Sequence, residues 1–115
     1  MKCFRILICV LILISTLSAC GVNKGNFTLL NNSDESISRV AVTICGQTVE
    51  LKDIYPGQQM VGAYQVESDS GVKVYVKFKS GKTIIKEDGY VTNGKDFSHR
   101  INVSNSEVDI TTISL

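Results

Sequence analysis

Tryptophan is absent from this 115-residue chain, and proline and histidine occur once each. A lone histidine, His99, leaves no second imidazole for a metal site, and no cysteine stands at ligand spacing from it. Ser98, His99 and Asp96 have the residue types of a nucleophilic triad, but neighbours on a strand point to opposite faces, so Ser98 and His99 cannot converge. No glycine-rich loop follows a strand and opens a helix, which removes the usual phosphate cradle. Paired carboxylates such as Glu87-Asp88 stand in turn-like sequence, where solvation explains them. The longest uninterrupted apolar run, Ile6 to Ile14, has nine residues, well short of the ~20 that a membrane-spanning helix needs. Basic and acidic side chains number twelve and eleven, a balance that gives no footing for nucleic-acid binding. The chain therefore reads as non-enzymatic, with no metal and no cofactor.

What is present begins at the N-terminus. Lys2 and Arg5 form a basic start, Ile6 to Ile14 an apolar centre, and Leu17-Ser18-Ala19-Cys20 closes the segment with small residues before a cysteine. This order resembles the lipobox signal of bacterial lipoproteins. The resemblance implies a helical signal peptide over residues 1–19, recognised through Leu17, Ser18 and Ala19 and cleaved before Cys20, whose sulfur carries diacylglycerol. It further implies a palmitate-type acyl chain on the new amino group. Several chains on one residue hold a protein on a membrane, since each buried methylene contributes about 0.8 kcal/mol. In an organism with two membranes, Gly21 after the modified cysteine implies the outer membrane, with the domain facing the periplasm.

Cysteine usage follows from that reading. Cys3 and Cys9 leave with the signal and Cys20 is alkylated, so Cys45 is the one free thiol of the mature chain and no intramolecular disulfide is available. Cys45 ends an apolar run beside Gly46 and is expected as buried or half-buried filler. Cleavage leaves 96 residues, one small domain, with ten basic and eleven acidic side chains. Residues 20–25 are expected as lipidated cysteine and tether, and 26–115 as the folded domain.

Along that domain the apolar period is two. Val72, Val74, Val76 and Phe78 share one face of a strand while Lys73, Tyr75, Lys77 and Lys79 share the other. Val40, Val42 and Ile44 alternate against Arg39, Ala41 and Thr43, and Ile101 and Val103 against Arg100 and Asn102. Phe27–Leu30, Thr48–Leu51, Met60–Val66 and Lys82–Lys86 are further short strands. Turn residues fall between them: Ser80-Gly81 as a two-residue hairpin turn, Cys45-Gly46-Gln47, Asp69-Ser70-Gly71, Asp88-Gly89 and Asn93-Gly94 as corners, and Tyr55-Pro56-Gly57 with proline and glycine at the central positions. No stretch reads as an amphipathic helix. Seven or eight strands are expected in an all-β antiparallel sandwich, immunoglobulin-like or transthyretin-like, with a small open barrel as the alternative.

Two surfaces are candidates for binding. One is the Lys73, Tyr75, Lys77, Lys79 stripe, extended across the following turn by Lys82 and Lys86; the other is Tyr90, expected near a loop tip in Gly89–Gly94. Strand lysines ordinarily solvate a face and block edge pairing. An aromatic set among charges suits a protein interface. The polar loop Asn31–Ser36 offers Asp34 and Glu35 but lacks the spacing and glycine of a calcium loop. The chain is thus expected to be a non-enzymatic envelope lipoprotein that binds another protein, of immunity or inhibitor type. Its alternatives are an assembly lipoprotein of an envelope or secretion machine, and a module that grips anionic lipid or glycan through the lysines.

Overall fold

The computed structural model describes residues 22–115; the signal segment, with Leu17, Ser18, Ala19 and Cys20, lies outside the described residues. Eight strands follow one another: β1 (Asn23–Asn31), β2 (Ile37–Ile44), β3 (Gln47–Ile54), β4 (Gln59–Val66), β5 (Ser70–Phe78), β6 (Thr83–Val91), β7 (Phe97–Val103) and β8 (Val108–Ser114). They form two four-stranded sheets, ordered β4-β1-β7-β8 and β3-β2-β5-β6. All pairs are antiparallel except β1 with β7. The all-β sandwich expected from the alternation is the fold. In an immunoglobulin sandwich the first two strands share a sheet. Here β1 and β2 lie in opposite sheets, which leaves the transthyretin-like alternative.

The period-two pattern explains the core. Val72, Val74, Val76 and Phe78 on β5 face Phe27 and Leu29 on β1 and Ile101 and Val103 on β7 across the sandwich, all at or below 1% exposure. The flanking apolar residues Val40, Val42 and Ile44 of β2 complete the same layer. Two glycines let aromatic rings into it. A Cβ on Gly25 would stand 2.0 Å from the Tyr64 ring, and one on Gly62 would stand 2.2 Å from Phe27.

No strands pair between β3 and β4 or between β6 and β8, so the sheets do not close into a barrel. Each seam is instead stitched by side chains. The Gln47 amide takes the backbone N–H of Gln65 at 3.1 Å and donates to its carbonyl at 2.7 Å, the pair of bonds a neighbouring strand would make. On the opposite side Thr112 of β8 fits against Gly89 of β6, where a Cβ would stand 2.5 Å from Oγ1.

Several local expectations are corrected. The two-residue hairpin turn is Cys45-Gly46, with φ of 53° and 70°, joining Ile44 to its partner Gln47. After β5 the loop has four residues, Lys79 to Lys82: Gly81 N–H bonds Phe78 O, Phe78 N–H bonds Lys82 O, and Gly81 supplies the positive φ. Asp88-Gly89 is a bulge inside β6, because between the Gly71–Tyr90 and Lys73–Glu87 pairs one residue, Val72, faces two. Residues 23–25, assigned to the tether, are strand: Asp96 accepts from Asn23 Nδ2 and Lys24 N–H, and Gly25 makes room for Tyr64. The Tyr55–Gln58 turn forms as expected, with Gln58 N–H on Tyr55 O at 3.0 Å and Gly57 at φ 81°.

Candidate interaction face

The outer face of the β3-β2-β5-β6 sheet is read off its ladders. Lys52, Arg39, Lys77 and Thr83 make one cross-strand row; Glu50, Ala41, Tyr75 and Ile85 the next; Thr48, Thr43, Lys73 and Glu87 a third. The bulge in β6 restores parity so that Tyr90 emerges on this same face, opposite Gly71. Tyr90 therefore stands on a strand, 58% exposed, and not at a loop tip. The structure brings the two tyrosines, read from the sequence as separate features, onto one surface two rungs apart.

The same sheet carries a depression of about 510 Å³ lined by Thr43, Gly71, Lys73, Glu87 and Asp88 among others. It exists because Gly71 has no side chain and the bulge draws β6 aside. Its rim is of mixed charge. Lys73 approaches Glu87 at 3.9 Å, and Arg39 binds Glu50 at 2.6 Å while its guanidinium lies 5.5 Å from the Tyr75 ring centre. Two of the four cations on the face thus have cross-strand glutamates, and the stripe carries less positive charge than its lysines suggest.

The rest of the sequence's stripe disperses. Lys86 pairs with Val74, on the other side of the sheet from Lys73 and Tyr75. Lys82 is at the far end, where its ammonium donates to the Asn105 carbonyl and sits 5.8 Å from the Phe78 ring centre. Lys79 follows β5, with its N–H on Ser36 O. It lines a cleft of about 300 Å³ with Asp53, held at φ 54°, and the exposed Tyr55.

The polar loop after β1 is a brace. Asn31 is fully buried; its Nδ2 donates to Glu35 O and Ile54 O, and its Oδ1 accepts from Ser33 N–H and Oγ–H. Asp34 and Asn105 bond reciprocally, and Glu35 Oε1 accepts the Ser80 N–H at 2.6 Å. Hydrogen bonds from Ser80 hold the Glu35 carboxyl below its usual range, helped by Lys82. These acceptors are committed to joining loops. Among the described residues no cluster of His, Cys, Asp or Glu is arranged to hold a metal.

His99 is 2% exposed at the centre of a buried chain that the sequence does not disclose. Its Nε2 is 2.5 Å from Tyr64 Oη and its Nδ1 is 2.9 Å from Thr112 Oγ1. Burial pushes the Tyr64 hydroxyl up to about 12 and pushes His99 below its ordinary value. A hydroxyl that keeps its proton donates it to Nε2, so Nδ1–H donates to Thr112. Ser98 points the other way and bonds Asn26 Oδ1 at 2.8 Å, and Asp96 bonds the start of β1, so no triad assembles. Cys45 is buried with Sγ 3.2 Å from Ser68 O.

No protein-family model matches the chain, and no curated protein matches it. Solved structures do share the fold. An NMR structure of a protein from Eubacterium rectale is 15% identical with a TM-score of 0.55, over 80% of this chain and 88% of that one. Two crystal structures, each described as a "putative cell adhesion protein", are 14% identical (Bacteroides ovatus, TM-score 0.54) and 12% identical (Bacteroides uniformis, TM-score 0.50). They align with 81% and 83% of this chain, which spans 44% and 50% of their own lengths. At these identities the likeness is one of fold.

Proposed function

We propose that this chain is a lipid-anchored, non-enzymatic envelope protein whose β3-β2-β5-β6 outer face binds another protein, of immunity or inhibitor type. The observation that carries the reading is the placing of Tyr75 and Tyr90 on one face, which also holds a depression lined by Lys73, Glu87 and Asp88. Tyrosine and arginine side chains are where protein interfaces concentrate their energy. Glu50 and Glu87 offset half of the nearby cations, which favours a protein surface over an anionic headgroup layer. The one histidine is locked in a structural chain, consistent with a domain that works by binding. Support for a surface role comes from the two adhesion-type structures that share the fold.

The anchor reading rests on Leu17-Ser18-Ala19-Cys20. With β1 starting at Asn23, only Gly21 and Val22 separate Cys20 from the sandwich. Cys20→Ala then abolishes palmitate labelling and releases the protein from the membrane fraction; persistent labelling refutes it. For the binding face, a photo-crosslinking residue at Tyr75 or Tyr90 captures one defined envelope protein in cells, and Tyr75→Ala weakens that complex at least about tenfold. Equal capture from Val61, on the other sheet, would count against the face. Lys73→Glu with Lys77→Glu separates the alternative: lost binding to phosphatidylglycerol vesicles, with protein capture intact, points to the lipid reading.

A further inference from the structure

The two outer faces of the sandwich differ in charge. On the β4-β1-β7-β8 side, Ala63, Asn26, Ser98 and Ile113 form one cross-strand row and Val61, Thr28, Arg100 and Thr111 the next. Neither row holds a carboxylate. Within these four strands the alternation turns outward only three charged side chains, Lys24, Arg100 and Asp109. The opposite face sets Arg39, Lys52, Lys73 and Lys77 among Glu50 and Glu87.

Apolar side chains gather at one corner of the low-charge face. Ile113 on β8, Leu115 two residues beyond it, and Val22 two residues before the outward Lys24 are each exposed by half or more. Asp96 draws these segments together. Its carboxylate accepts from Asn23 Nδ2 and Lys24 N–H, and its carbonyl accepts the Leu115 N–H at 2.9 Å. Among the described residues the two salt bridges, Arg39–Glu50 and Lys73–Glu87, both belong to the other sheet, and Lys24 and Arg100 are exposed without one.

What covers this corner follows from the chain that leads to it. Gly21 and Val22 alone separate Cys20 from Asn23, so even fully extended, at about 3.5 Å per residue, they hold the start of β1 within roughly 11 Å of Cys20. With lipid on Cys20, the bilayer is the immediate neighbour. End-on contact is disfavoured, because Val66 pairs with Asn23 and the loop that follows it carries Glu67 and Asp69, which an anionic surface repels. A tilt onto the outer face presents aliphatic side chains flanked by cations, the composition that suits the boundary between headgroups and acyl chains.

We propose that the corner formed by Val22, Lys24, Ile113 and Leu115, with Arg100 beside it, rests on the anionic bilayer in which the lipid of Cys20 is embedded. This inference rests on the anchor reading and adds an orientation to it. The tyrosine face, on the other sheet, is turned away from the membrane toward a protein partner.

Residues 23–114 supply both sheets and the whole core, so residues 21–115 serve as the soluble sample. Here Cys20 is retained and its thiol is coupled to a maleimide-bearing phospholipid in vesicles of phosphatidylethanolamine and phosphatidylglycerol, Cys45 being buried. The chain has no tryptophan, so one introduced indole is the sole reporter. Ile113→Trp and Leu115→Trp shift their emission to the blue and are quenched by lipids spin-labelled near the headgroup, whereas Ile85→Trp, exposed on the opposite face, is not. Lys24→Glu with Arg100→Glu loses most of that quenching. Circular dichroism confirms that each variant is folded. A corner reporter quenched no more than Ile85→Trp, or a charge reversal that changes nothing, overturns this inference even with lipid on Cys20. Persistent palmitate labelling of Cys20→Ala overturns the anchor reading beneath it instead.

Discussion

Gly62→Ala adds one methyl at the point where the Phe27 ring crosses the β1–β4 ladder. The new Cβ would stand 2.2, 2.6 and 2.8 Å from Cζ, Cε1 and Cε2, whereas carbon atoms pack at about 3.5–4.0 Å, so the ring must retreat by roughly 1.3 Å or more. Phe27 has 0% exposure among close-packed neighbours, which leaves nowhere to go without forcing side chains off their rotamers. Overpacking of this kind costs about 1–3 kcal/mol. Removing a glycine from the unfolded chain gives back about 0.4–1 kcal/mol, so the net loss is on the order of 1–2 kcal/mol. For a domain of this size each kcal/mol lowers Tm by roughly 4–8 °C. Urea and thermal unfolding of residues 21–115 measure it, with the m-value as a check on two-state behaviour. Phe27→Leu makes the cause identifiable: it destabilises the parent but relieves the strain in the Gly62→Ala background, giving a coupling of about 1 kcal/mol or more. A Gly62→Ala protein as stable as the parent, or two effects that add within ~0.5 kcal/mol, would refute the packing argument.

Further outcomes follow from the buried polar groups. Tyr64→Phe leaves His99 Nε2 without its donor and costs about 1–3 kcal/mol at pH 8, read as a fall in the urea midpoint. His99 has its folded pKa below the ordinary 6.5, so the stability it confers is whole above pH 6.5 and is lost as pH falls through the folded value. The urea midpoint therefore declines from pH 7 to 5, and His99→Gln flattens that slope. Below pH 4.5 a second decline sets in as Glu35 and Asp96 are protonated, their folded values being held down by the Ser80 bonds and by the Lys24 and Asn23 bonds. Asn31→Asp sets a carboxylate against the carbonyls of Glu35 and Ile54 and destabilises by about 3 kcal/mol or more in the same assay. Cys45 in the soluble sample reacts with thiol reagents only as fast as the domain opens; labelling at the rate of an exposed thiol would place it on the surface.

The sequence discloses best those strands whose two faces differ in chemistry. β5 sets valines and Phe78 against lysines, and β2 and β7 repeat the contrast, so their inner faces are legible residue by residue. β8 does not stand out, because isoleucine and threonine occupy both of its faces. β6 reads as ending before Asp88-Gly89 since a bulge and a turn use the same residues, and that ambiguity displaces Tyr90 to a loop. The Tyr64–His99–Thr112 chain joins residues from three strands far apart in sequence. Nothing local marks it, as only the register of β4 and β7 against β1, and of β8 against β7, brings it together. The same holds for Arg39 over Tyr75, a contact made by pairing rather than by neighbours in the chain.

The place of β1 has a mechanical meaning. Its N-terminal end leads back toward Cys20, and it is an interior strand, bonded to β4 on one side and in parallel to β7 on the other. A pull arriving through the residues before Asn23 acts along the strand axis. It loads both ladders in shear, so that many backbone bonds share the force at once instead of opening one after another. A chain that entered through an edge strand would peel. From Gly25 onward this one is held from both sides.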